Sequence, residues 1–419
     1  MSTLNERHTL AEQVAQAMGK SVYNNVEAHK DITPRLELQQ KSPKLMTLEE
    51  AIRHSGLKDG MTISFHHHFR GGDKVVNMVV AKLAEMGFKG LHLAASSLQD
   101  VHEPLIEHIR NGVITEISTS GLRGELAKEI SHGLMEKPVV FRSHGGRGEA
   151  IASGELHIDV AFLGASSSDP LGNACGYSRS ENAKSICGSL GYALPDAHYA
   201  DKVVILTDDL VPYPNTPNSI SEHDVDYVVE VESVGDSSKI ASGAIRDTKN
   251  PRDILLAQQA AKVIVNSGYF KNGFSIQTGS GGASLAAVKY IRQSMIDQDI
   301  KASFALGGIT AHMVKMHEEG LIERLIDVQS FDKVAAESLK NDPKHKEVSA
   351  CEYASMHEQG AATHYLDIVI LSALEVDVNF NVNVLVGSDG IIRGAIGGHP
   401  DTAEDSALSI IVCPLLRGR

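Results

Sequence analysis

The hydrophobic positions of this chain alternate in some stretches and recur every three to four residues in others. Residues 61–67 (MTISFHH) alternate and predict a strand, which leads into the loop FRGGD. Asp73 can then cap a helix that ends at Gly87. The apolar residues of that helix lie at helical spacing: Val75, Val76, Val79, Val80, Leu83 and Met86. This part of the chain therefore predicts a strand, a glycine loop and a helix.

The same alternation of elements continues along the first half of the chain. A capping box of Thr47 and Glu50 opens a short helix, which Gly56 can close. Further strands are predicted over residues 91–95, 139–142, 159–164 and 202–207. Strands that alternate with helices favour an α/β fold, with mostly parallel sheets covered by helices on both faces.

The second half repeats this order of motifs. The segment VPYPNTPNSIS is rich in proline, which favours extended chain, so we predict a linker over residues 212–221. After it come the strand VDYVVEVESVG and a helix that Asn250 caps, with Pro251 at its first position, running to Gly268. GFSIQTGSGGASLAAVKYIRQSM is again strand, glycine loop and helix. We therefore predict an N-terminal arm (1–45) and two tandem open α/β domains (46–211 and 222–419), with a cleft between them.

Composition narrows the possible partners and the compartment. The chain has 419 residues with a net charge of −14, and no cluster of Lys or Arg suggests a nucleic-acid partner. The four cysteines, Cys175, Cys187, Cys351 and Cys413, form no paired motif. No signal peptide or membrane-spanning apolar run is present, so we expect a soluble, cytoplasmic protein that contacts no membrane.

The two glycine loops are the strongest candidates for chemistry. Each loop lies between a strand and a helix, where backbone N–H groups can hold a phosphate, a carboxylate or an oxyanion. An ordinary tight turn is the alternative, but the repetition favours function. We predict catalytic donors at Gly71, Gly72, Gly281 and Gly282. A dinucleotide site is disfavoured, because Asp299 precedes the next strand, KASFAL, instead of following it.

Other polar motifs give weaker signals. His66, His67 and His68 are adjacent, but only the first and third share a face of a strand, and no third ligand matches them. We expect them to pack or to contact substrate, and we expect no metal. The chain has no HExxH and no GxSxG motif, which excludes a zincin and the simplest hydrolase site.

The C-terminal segment GAIGGHPDTA combines a glycine pair with cationic and donor groups. A plain loop before the strand SIIVCPL is the alternative interpretation. Carboxylate binding in an acidic protein would need such groups. The residues predicted to bind substrate are Arg70, Gly279, Ser280, Gly307, Gly308, Arg393, Gly398, His399 and Asp401.

Taken together, several of these segments resemble the citrate lyase α chains of the coenzyme A transferase superfamily. The segments are SFHHHFRGGD, GGRGEAIASGELHIDVAFLGASSSDPLGN, VESVGDSSKIASGAIRDTKNPRD, QTGSGGASLA, FALGGIT and NVNVLVGSDGIIRGAIGGHPDTA. The resemblance covers nearly the whole chain. It implies two tandem domains of the coenzyme A transferase type, with a thioester held between them.

The resemblance also implies a reaction and partners. It implies transfer of a carrier-bound thioester from acetate to citrate, with an acyl-carrier (γ) subunit and a lyase (β) subunit as partners and a homo-oligomeric assembly. No tightly bound cofactor is expected; the thioester would be carried on the carrier's phosphopantetheine-like arm, for which acetyl-CoA can substitute. Related chains continue beyond CPLLRGR, so we expect the last segment of the second domain to be absent here.

One departure from the superfamily bears on mechanism. Members that form a glutamyl thioester carry the nucleophile in a Ser-Glu-Asn-Gly loop, and FALGGIT aligns with that loop so that Leu306 stands at the Glu position. Leucine cannot attack a thioester, so we expect direct transfer through an anhydride-like intermediate. A glutamate elsewhere in the chain remains an alternative, as do a thioester hydrolase, another carboxylate CoA-transferase and a non-catalytic scaffold subunit.

Overall fold

Two parallel sheets with the same strand order form the framework of the protein. The structure is a computed structural model that describes residue 13 and residues 44–241, 248–279, 281–355 and 360–416. The strands of the first half are β1 (Thr62–Phe65), β2 (Leu91–Ala95), β3 (Ile114–Thr119), β4 (Val140–Phe141), β5 (Val160–Ala165), β6 (Ser167–Ser168), β7 (Ala174–Cys175), β8 (Lys202–Thr207) and β9 (Tyr227–Glu230). Those of the second half are β10 (Phe274–Thr278), β11 (Ala302–Ile309), β12 (Ile322–Ser330), β13 (His345–Glu347), β14 (Ile368–Ser372), β15 (Glu375–Val376), β16 (Val382–Asn383) and β17 (Leu408–Val412).

Helices connect the strands and cover both sheets. In the first half they are α1 (Leu48–His54), α2 (Val75–Glu85), α3 (Leu105–Arg110), α4 (Gly124–Ser131), α5 (His144–Ala152) and α6 (Leu194–Tyr199). In the second half they are α7 (Pro251–Val265), α8 (Gly282–Asp297), α9 (Ala311–Glu318), α10 (Lys333–Asn341), α11 (Ala350–Ala354) and α12 (His399–Asp405). Short 3₁₀ turns span Arg70–Gly72, Asp100–His102, Ser237–Lys239 and Ala362–Tyr365.

The order of the strands confirms the predicted α/β class and the duplication. The first sheet runs β4-β3-β2-β1-β5-β8-β9 and the second runs β13-β12-β11-β10-β14-β17. Within each of these sheets every neighbouring pair is parallel. In each sheet the strand that comes first in sequence, β1 or β10, occupies a central position. The next three strands of the sheet extend it on one side, and the remaining strands extend it on the other side. Such an order leaves a crevice at the carboxyl end of the inner strand, which is where α/β proteins bind ligands.

Several local predictions are confirmed. The capping box at the start of α1 is formed, since Thr47 Oγ1 accepts from the Glu50 N–H at 3.3 Å and Glu50 Oε2 accepts from the Thr47 N–H at 2.9 Å. The Asn250 side chain caps α7 by accepting from the Arg252 N–H at 3.0 Å. This helix ends at Val265, three residues before the predicted Gly268.

The predicted linker lies at a different place relative to the sheets. Residues 212–221 separate β8 from β9, and these two strands are parallel neighbours in the first sheet. β9 is hydrogen-bonded to the first sheet, so the chain passes to the second sheet only after Glu230. The periodicity of a sequence does not reveal which strands pair. The domain bounds 46–211 and 222–419 otherwise stay predictions. The arm 1–45 lies outside the described residues except for residues 13, 44 and 45.

Each sheet carries its own apolar core. A cluster around the first sheet includes Ile63, Leu93, Phe162 and Leu206, all fully buried. The second sheet has one cluster on each face, one beneath α7 and α8 and one beneath α11. Among the described residues, no helix is both long and apolar enough to cross a lipid bilayer.

A buried ion pair fixes two helices to the first sheet. Arg147 on α5 donates from Nη1 and Nη2 to the two carboxylate oxygens of Asp196 on α6, both at 2.8 Å. The same guanidinium donates to Ser64 Oγ on β1 at 2.9 Å and to the carbonyl of Ala94 on β2 at 3.1 Å. Arg147 and Asp196 are almost completely buried, so each charge depends on the other for compensation.

We expect Arg147→Met to lower the free energy of unfolding by about 3–5 kcal/mol, because it leaves the Asp196 carboxylate buried without its counter-charge. Urea denaturation followed by circular dichroism measures the change. The control is Arg53→Met, which breaks the exposed pair with Glu49 and should cost less than about 1 kcal/mol. Equal losses in the two variants would contradict this role for the buried pair.

Candidate functional site

A polar cavity lies between the carboxyl ends of the two sheets. The first half contributes loops that follow β1, β2 and β3, and the second half contributes the ends of β10, β11, β12 and β14. Its described lining residues are His67, Arg70, Ser97, Gln99, Ser120, Arg123, His144, Tyr192, Gln277, Thr278, Gly279, Gly308, Gln329, Phe331, Tyr353, Leu371, Ala395, Gly397, Gly398 and His399. None of them carries a carboxylate.

Two arginines bring positive charge into the cavity. Arg70 is held with its guanidinium carbon 4.7 Å from the centre of the Phe331 ring, and its backbone has the uncommon φ of 51°. Burial lowers the pKa of Arg70 to about 10, which leaves it charged at neutral pH. Its Nε has no hydrogen-bond partner among the described residues, and no described acid forms an ion pair with it. Burial also lowers the pKa of Arg123, but the charge of Asp100 opposes that effect.

Imidazole and phenol rings stack along one wall of the cavity. The ring of Tyr192 lies 4.2 Å from that of His144 and 5.1 Å from that of His67, measured between centroids. Burial holds the pKa of His67 and His68 well below the usual value and lowers that of His144 to about 3. It raises the pKa of Tyr192 well above its usual value. At neutral pH these rings are therefore uncharged, and each can still donate or accept a hydrogen bond.

Some buried polar atoms at the cavity have no partner within the described residues. They are His144 Nδ1, Gln277 Oε1 and Thr278 Oγ1. The other end of the Gln277 amide donates to Tyr353 Oη at 2.7 Å, which fixes the orientation of the side chain. A buried polar atom without a partner is costly, so these atoms are suited to meeting a polar ligand.

The segment Gly394–Asp401 connects the second half to the first at the rim of the cavity. The Leu122 N–H donates to the Gly394 carbonyl at 3.1 Å, and the Ile396 N–H donates to the Ser120 carbonyl at 2.8 Å. At the start of α5, the Gly145 N–H donates to Asp401 Oδ2 at 3.0 Å. These bonds hold Gly397, Gly398 and His399 against the cavity.

The structure divides the predicted site residues into four groups. Arg70, Gly279, Gly308, Gly398 and His399 line the cavity. Gly307 lies behind Gln277, and Asp401 lies behind the rim, so neither lines it. Ser280 is outside the described residues.

The remaining predicted residues do not line the cavity. A Cβ atom on Gly72 would come within 2.2 Å of the Asp236 carbonyl oxygen, and one on Gly281 within 2.2 Å of Ser372 Oγ. Gly71 lines a separate surface depression, and Gly282 is the first residue of α8. Arg393 donates to both oxygens of Asp389, at 2.5 and 2.6 Å, on an exposed loop. The structure thus does not bring these five residues into the site, and their catalytic or binding role remains a prediction only.

Sequence reasoning missed many of the lining residues that the second half of the chain contributes. It also missed one wall of the cavity, which the first half contributes. His144, Tyr192, Gln277, Gln329 and Tyr353 were not predicted. The signal for Gln277 was its place at the end of the strand GFSIQT, immediately before the glycine loop. His67 was among the histidines expected to pack or contact substrate, and it lines the cavity.

Leu306, at the position of the superfamily's glutamate, is fully buried within β11. It belongs to an apolar cluster with Phe304 and Val328. It therefore offers no polar group to the cavity.

Comparisons with known proteins agree with this architecture. The family model described as citrate lyase, alpha subunit (CitF), matches residues 42–419. The citrate lyase alpha chain of Escherichia coli is 62% identical over 372 residues, which are 89% of this chain and 72% of that protein. The citrate lyase alpha chain of Haemophilus influenzae is 59% identical over 401 residues, 96% of this chain and 79% of that protein.

Solved structures show the same fold. The alpha subunit of citrate lyase from Streptococcus mutans, in complex with citrate, matches with a TM-score of 0.87 and 57% identity over 91% of this chain and 74% of that one. The alpha subunit of a malonate decarboxylase from Acinetobacter baumannii matches with a TM-score of 0.64 and 16% identity, over 96% of this chain and 69% of that one. At that identity the match bears on the fold alone.

The paired parallel sheets with a cavity between their carboxyl ends define an α/β protein of the coenzyme A transferase type. The extent and identity of the matches go further: the chain belongs to the citrate lyase α-subunit family.

We expect Asp401→Asn to change how stability depends on pH. Burial raises the pKa of Asp401 to about 6, so between about pH 4 and 6 the folded protein binds more protons at this carboxyl than the unfolded chain does. The wild-type free energy of unfolding therefore falls as pH rises through this window. The variant lacks this decline and should gain up to about 3 kcal/mol relative to wild type between pH 4 and pH 7.

Urea denaturation at several pH values measures the difference. The control is Glu404→Gln, which changes an exposed carboxyl on the same helix. A pH-independent difference between Asp401→Asn and wild type would show that the carboxyl is not protonated preferentially in the folded state.

Proposed function

We propose that this chain is a citrate:acetyl-acyl-carrier transferase that exchanges acetate for citrate on a thioester. The supporting observations are the family to which it belongs, the citrate bound by the Streptococcus mutans relative and the composition of the cavity. The observation that carries the proposal is Arg70, a half-buried guanidinium whose Nε is inaccessible to solvent and which has no described acidic partner.

A buried cation without a counter-ion is costly, so the site favours an anionic ligand. The planar donors of Arg70 match a carboxylate, and Arg123 supplies a second positive charge to the same cavity. Citrate carries several carboxylates at neutral pH, so it can meet both arginines. The uncharged imidazoles supply hydrogen bonds without further charge.

The proposed chemistry is direct transfer. A citrate carboxylate oxygen attacks the acetyl thioester carbonyl, and the tetrahedral oxyanion collapses to a mixed anhydride and the carrier thiolate. The thiolate then attacks the citryl carbonyl of the anhydride and releases acetate. The unpartnered donors of the cavity would stabilise each oxyanion. No described lining residue carries a carboxylate, which favours this route over a glutamyl thioester.

The partners follow from the same proposal. The thioester would arrive on the phosphopantetheine-like arm of an acyl-carrier (γ) subunit, and a lyase (β) subunit would cleave the citryl thioester. Acetyl-CoA is the practical substitute for the carrier. A homo-oligomeric assembly of this chain is part of the proposal.

The defining experiment mixes the purified chain with acetyl-CoA and citrate and separates the products by chromatography. We expect citryl-CoA and acetate, formed together and only when citrate is present. Acetate released without citrate would identify a thioester hydrolase. Transfer to other carboxylates in preference to citrate would identify a different CoA-transferase, and no turnover would indicate a scaffold subunit.

We expect Arg70→Lys to raise the citrate KM by at least about tenfold, because lysine keeps the charge but loses the two-pronged donor. The KM for acetyl-CoA should change little. The matched control is Arg393→Lys, which alters an exposed arginine paired with Asp389 and should leave both constants unchanged. If Arg393→Lys raises the citrate KM and Arg70→Lys does not, the recognition site lies on the Arg393 loop.

We expect no covalent acyl-enzyme. The chain incubated with radiolabelled acetyl-CoA, then treated with borohydride to trap an enzyme-bound thioester and examined by mass spectrometry, should carry no modified carboxyl side chain. The parallel reaction with citrate shows that the preparation is active. A reduced Glu or Asp side chain in the active preparation would replace direct transfer with a covalent mechanism.

A further inference from the structure

A groove opens at the amino ends of the strands of the second sheet, and it is larger than the cavity proposed for the transfer reaction (the transfer cavity). Its volume is about 730 Å³. Its walls carry the cations Arg324, Lys344 and Lys346 and the aromatic rings of Phe304 and Tyr365. None of the residues discussed for transfer lines this groove.

The register of the sheet places two of the three cations, Arg324 and Lys346, on one face. Phe304 on β11 is the partner of Arg324 on β12, and Ile326 is the partner of Lys346 on β13. Since side chains alternate between the faces of a strand, Arg324, Ile326 and Lys346 share one side. Lys344 lies in the turn just before β13 and lines the same groove. The Arg324 guanidinium carbon lies 5.6 Å from the centre of the Phe304 ring, which positions this charge over the floor of the groove.

These cations form no ion pair with a described acid, although two carboxylates also lie in the wall of the groove. The two carboxylates in the wall have other partners: Glu352 accepts from the Ser349 N–H and Asp367 from the Ser275 N–H, both at 2.8 Å. Three such cations in one concavity of a chain with net charge −14 favour an anionic ligand.

The groove also carries an exposed aromatic ring on which a flat ligand can stack. Tyr365 is 65% exposed although it lines a concave surface. Its neighbours in the wall are the small residues Gly360, Ala361 and Ala362, which leave the face of the ring accessible. An aromatic ring beside several cations suits a ligand that combines a planar base with phosphates.

The groove is distinct from the transfer cavity. Phe304 lines the groove and Gly308 lines the cavity, and the four residue-to-residue steps along β11 between them span about 13 Å. Leu306 lies between them and is fully buried in the apolar cluster with Val328 and Leu366. A ligand in the groove therefore does not contact the reacting atoms.

We propose that this groove binds a nucleotide with two or more phosphates. The base stacks on Tyr365, and the phosphates contact Lys344, Lys346 and Arg324. Either a free nucleoside triphosphate or the nucleotide portion of coenzyme A has this chemistry.

The test is fluorescence anisotropy of N-methylanthraniloyl-ATP with the full chain. We expect saturable binding, displaced by ATP but not by adenosine. Lys344→Glu/Lys346→Glu should weaken it by at least about tenfold through repulsion of the phosphates. The control Lys58→Glu/Lys262→Glu makes the same change in net charge at exposed positions outside the groove and should leave it unchanged. Absence of saturable binding, or equal weakening in both double variants, would overturn the proposal.

Two further arms test the base and the source. Tyr365→Ala should weaken displacement by ATP and leave displacement by inorganic triphosphate unchanged; an equal effect on both, or none on either, would reject recognition of the base. If coenzyme A displaces the fluorescent probe from the unmodified chain but not from Lys344→Glu/Lys346→Glu, the groove binds the nucleotide portion of coenzyme A. Displacement by ATP alone assigns the free nucleotide. Binding is measured without turnover, so the result is independent of the proposed transfer activity.

Discussion

Much of the site depends on one constraint, which is that the positive charge of Arg70 is partly buried between the two sheets. The Arg70 guanidinium lies on the face of Phe331, where the ring's electrons partly compensate the charge without a carboxylate. This position needs Gly308, because a Cβ there would lie within 2.1 Å of the Phe331 ring. It also needs the positive φ of Arg70 itself, a backbone strain that persists only where the surroundings enforce it. The backbone of one residue in each half thus maintains a cation that has no acidic partner among the described residues.

The same cavity depends on contacts between the two halves. Gln329 of the second half donates to the His67 carbonyl at 3.0 Å, and the segment Gly394–Asp401 donates to and accepts from the backbone of the first half. Neither sheet alone therefore contains the site. A duplicated fold makes this arrangement possible, because each copy has a crevice at the carboxyl end of its inner strand and the two crevices face each other.

The sequence predicted the class of fold better than the site. Apolar periodicity located β1, β2, β5 and β8 almost to the residue, since their burial dictates which positions are hydrophobic. β3, β12 and β14 were not predicted. β3 and β12 mix exposed polar residues with buried ones, which weakens their pattern, and β9 was placed with the wrong sheet. Pairing is set by contacts between distant parts of the chain, which local periodicity does not contain.

The site was predicted only in part, again because contacts between distant parts of the chain determine which residues line it. Residues next to glycines were found, among them Arg70, Gly279, Gly308 and His399, because glycine loops stand out in a sequence. Tyr192 and His144 were missed, since nothing adjacent to them in sequence shows that their rings stack with His67 in space. The resemblance to a family supplied the reaction, but the family motifs did not separate residues that line the cavity from those that support it.

The glycines illustrate that distinction most clearly. A glycine after a strand can expose an N–H to a ligand, or it can let another part of the chain come close, and the two uses leave the same signal. For Gly72 and Gly281 the structure shows the second use, against the Asp236 carbonyl and the Ser372 hydroxyl. Gly279, whose N–H already donates to the Ile370 carbonyl at 2.7 Å, lines the cavity without a free donor of its own. Gly279 therefore offers no free backbone donor to the proposed oxyanion, whereas side chains such as Arg70 and the uncharged imidazoles do line the cavity.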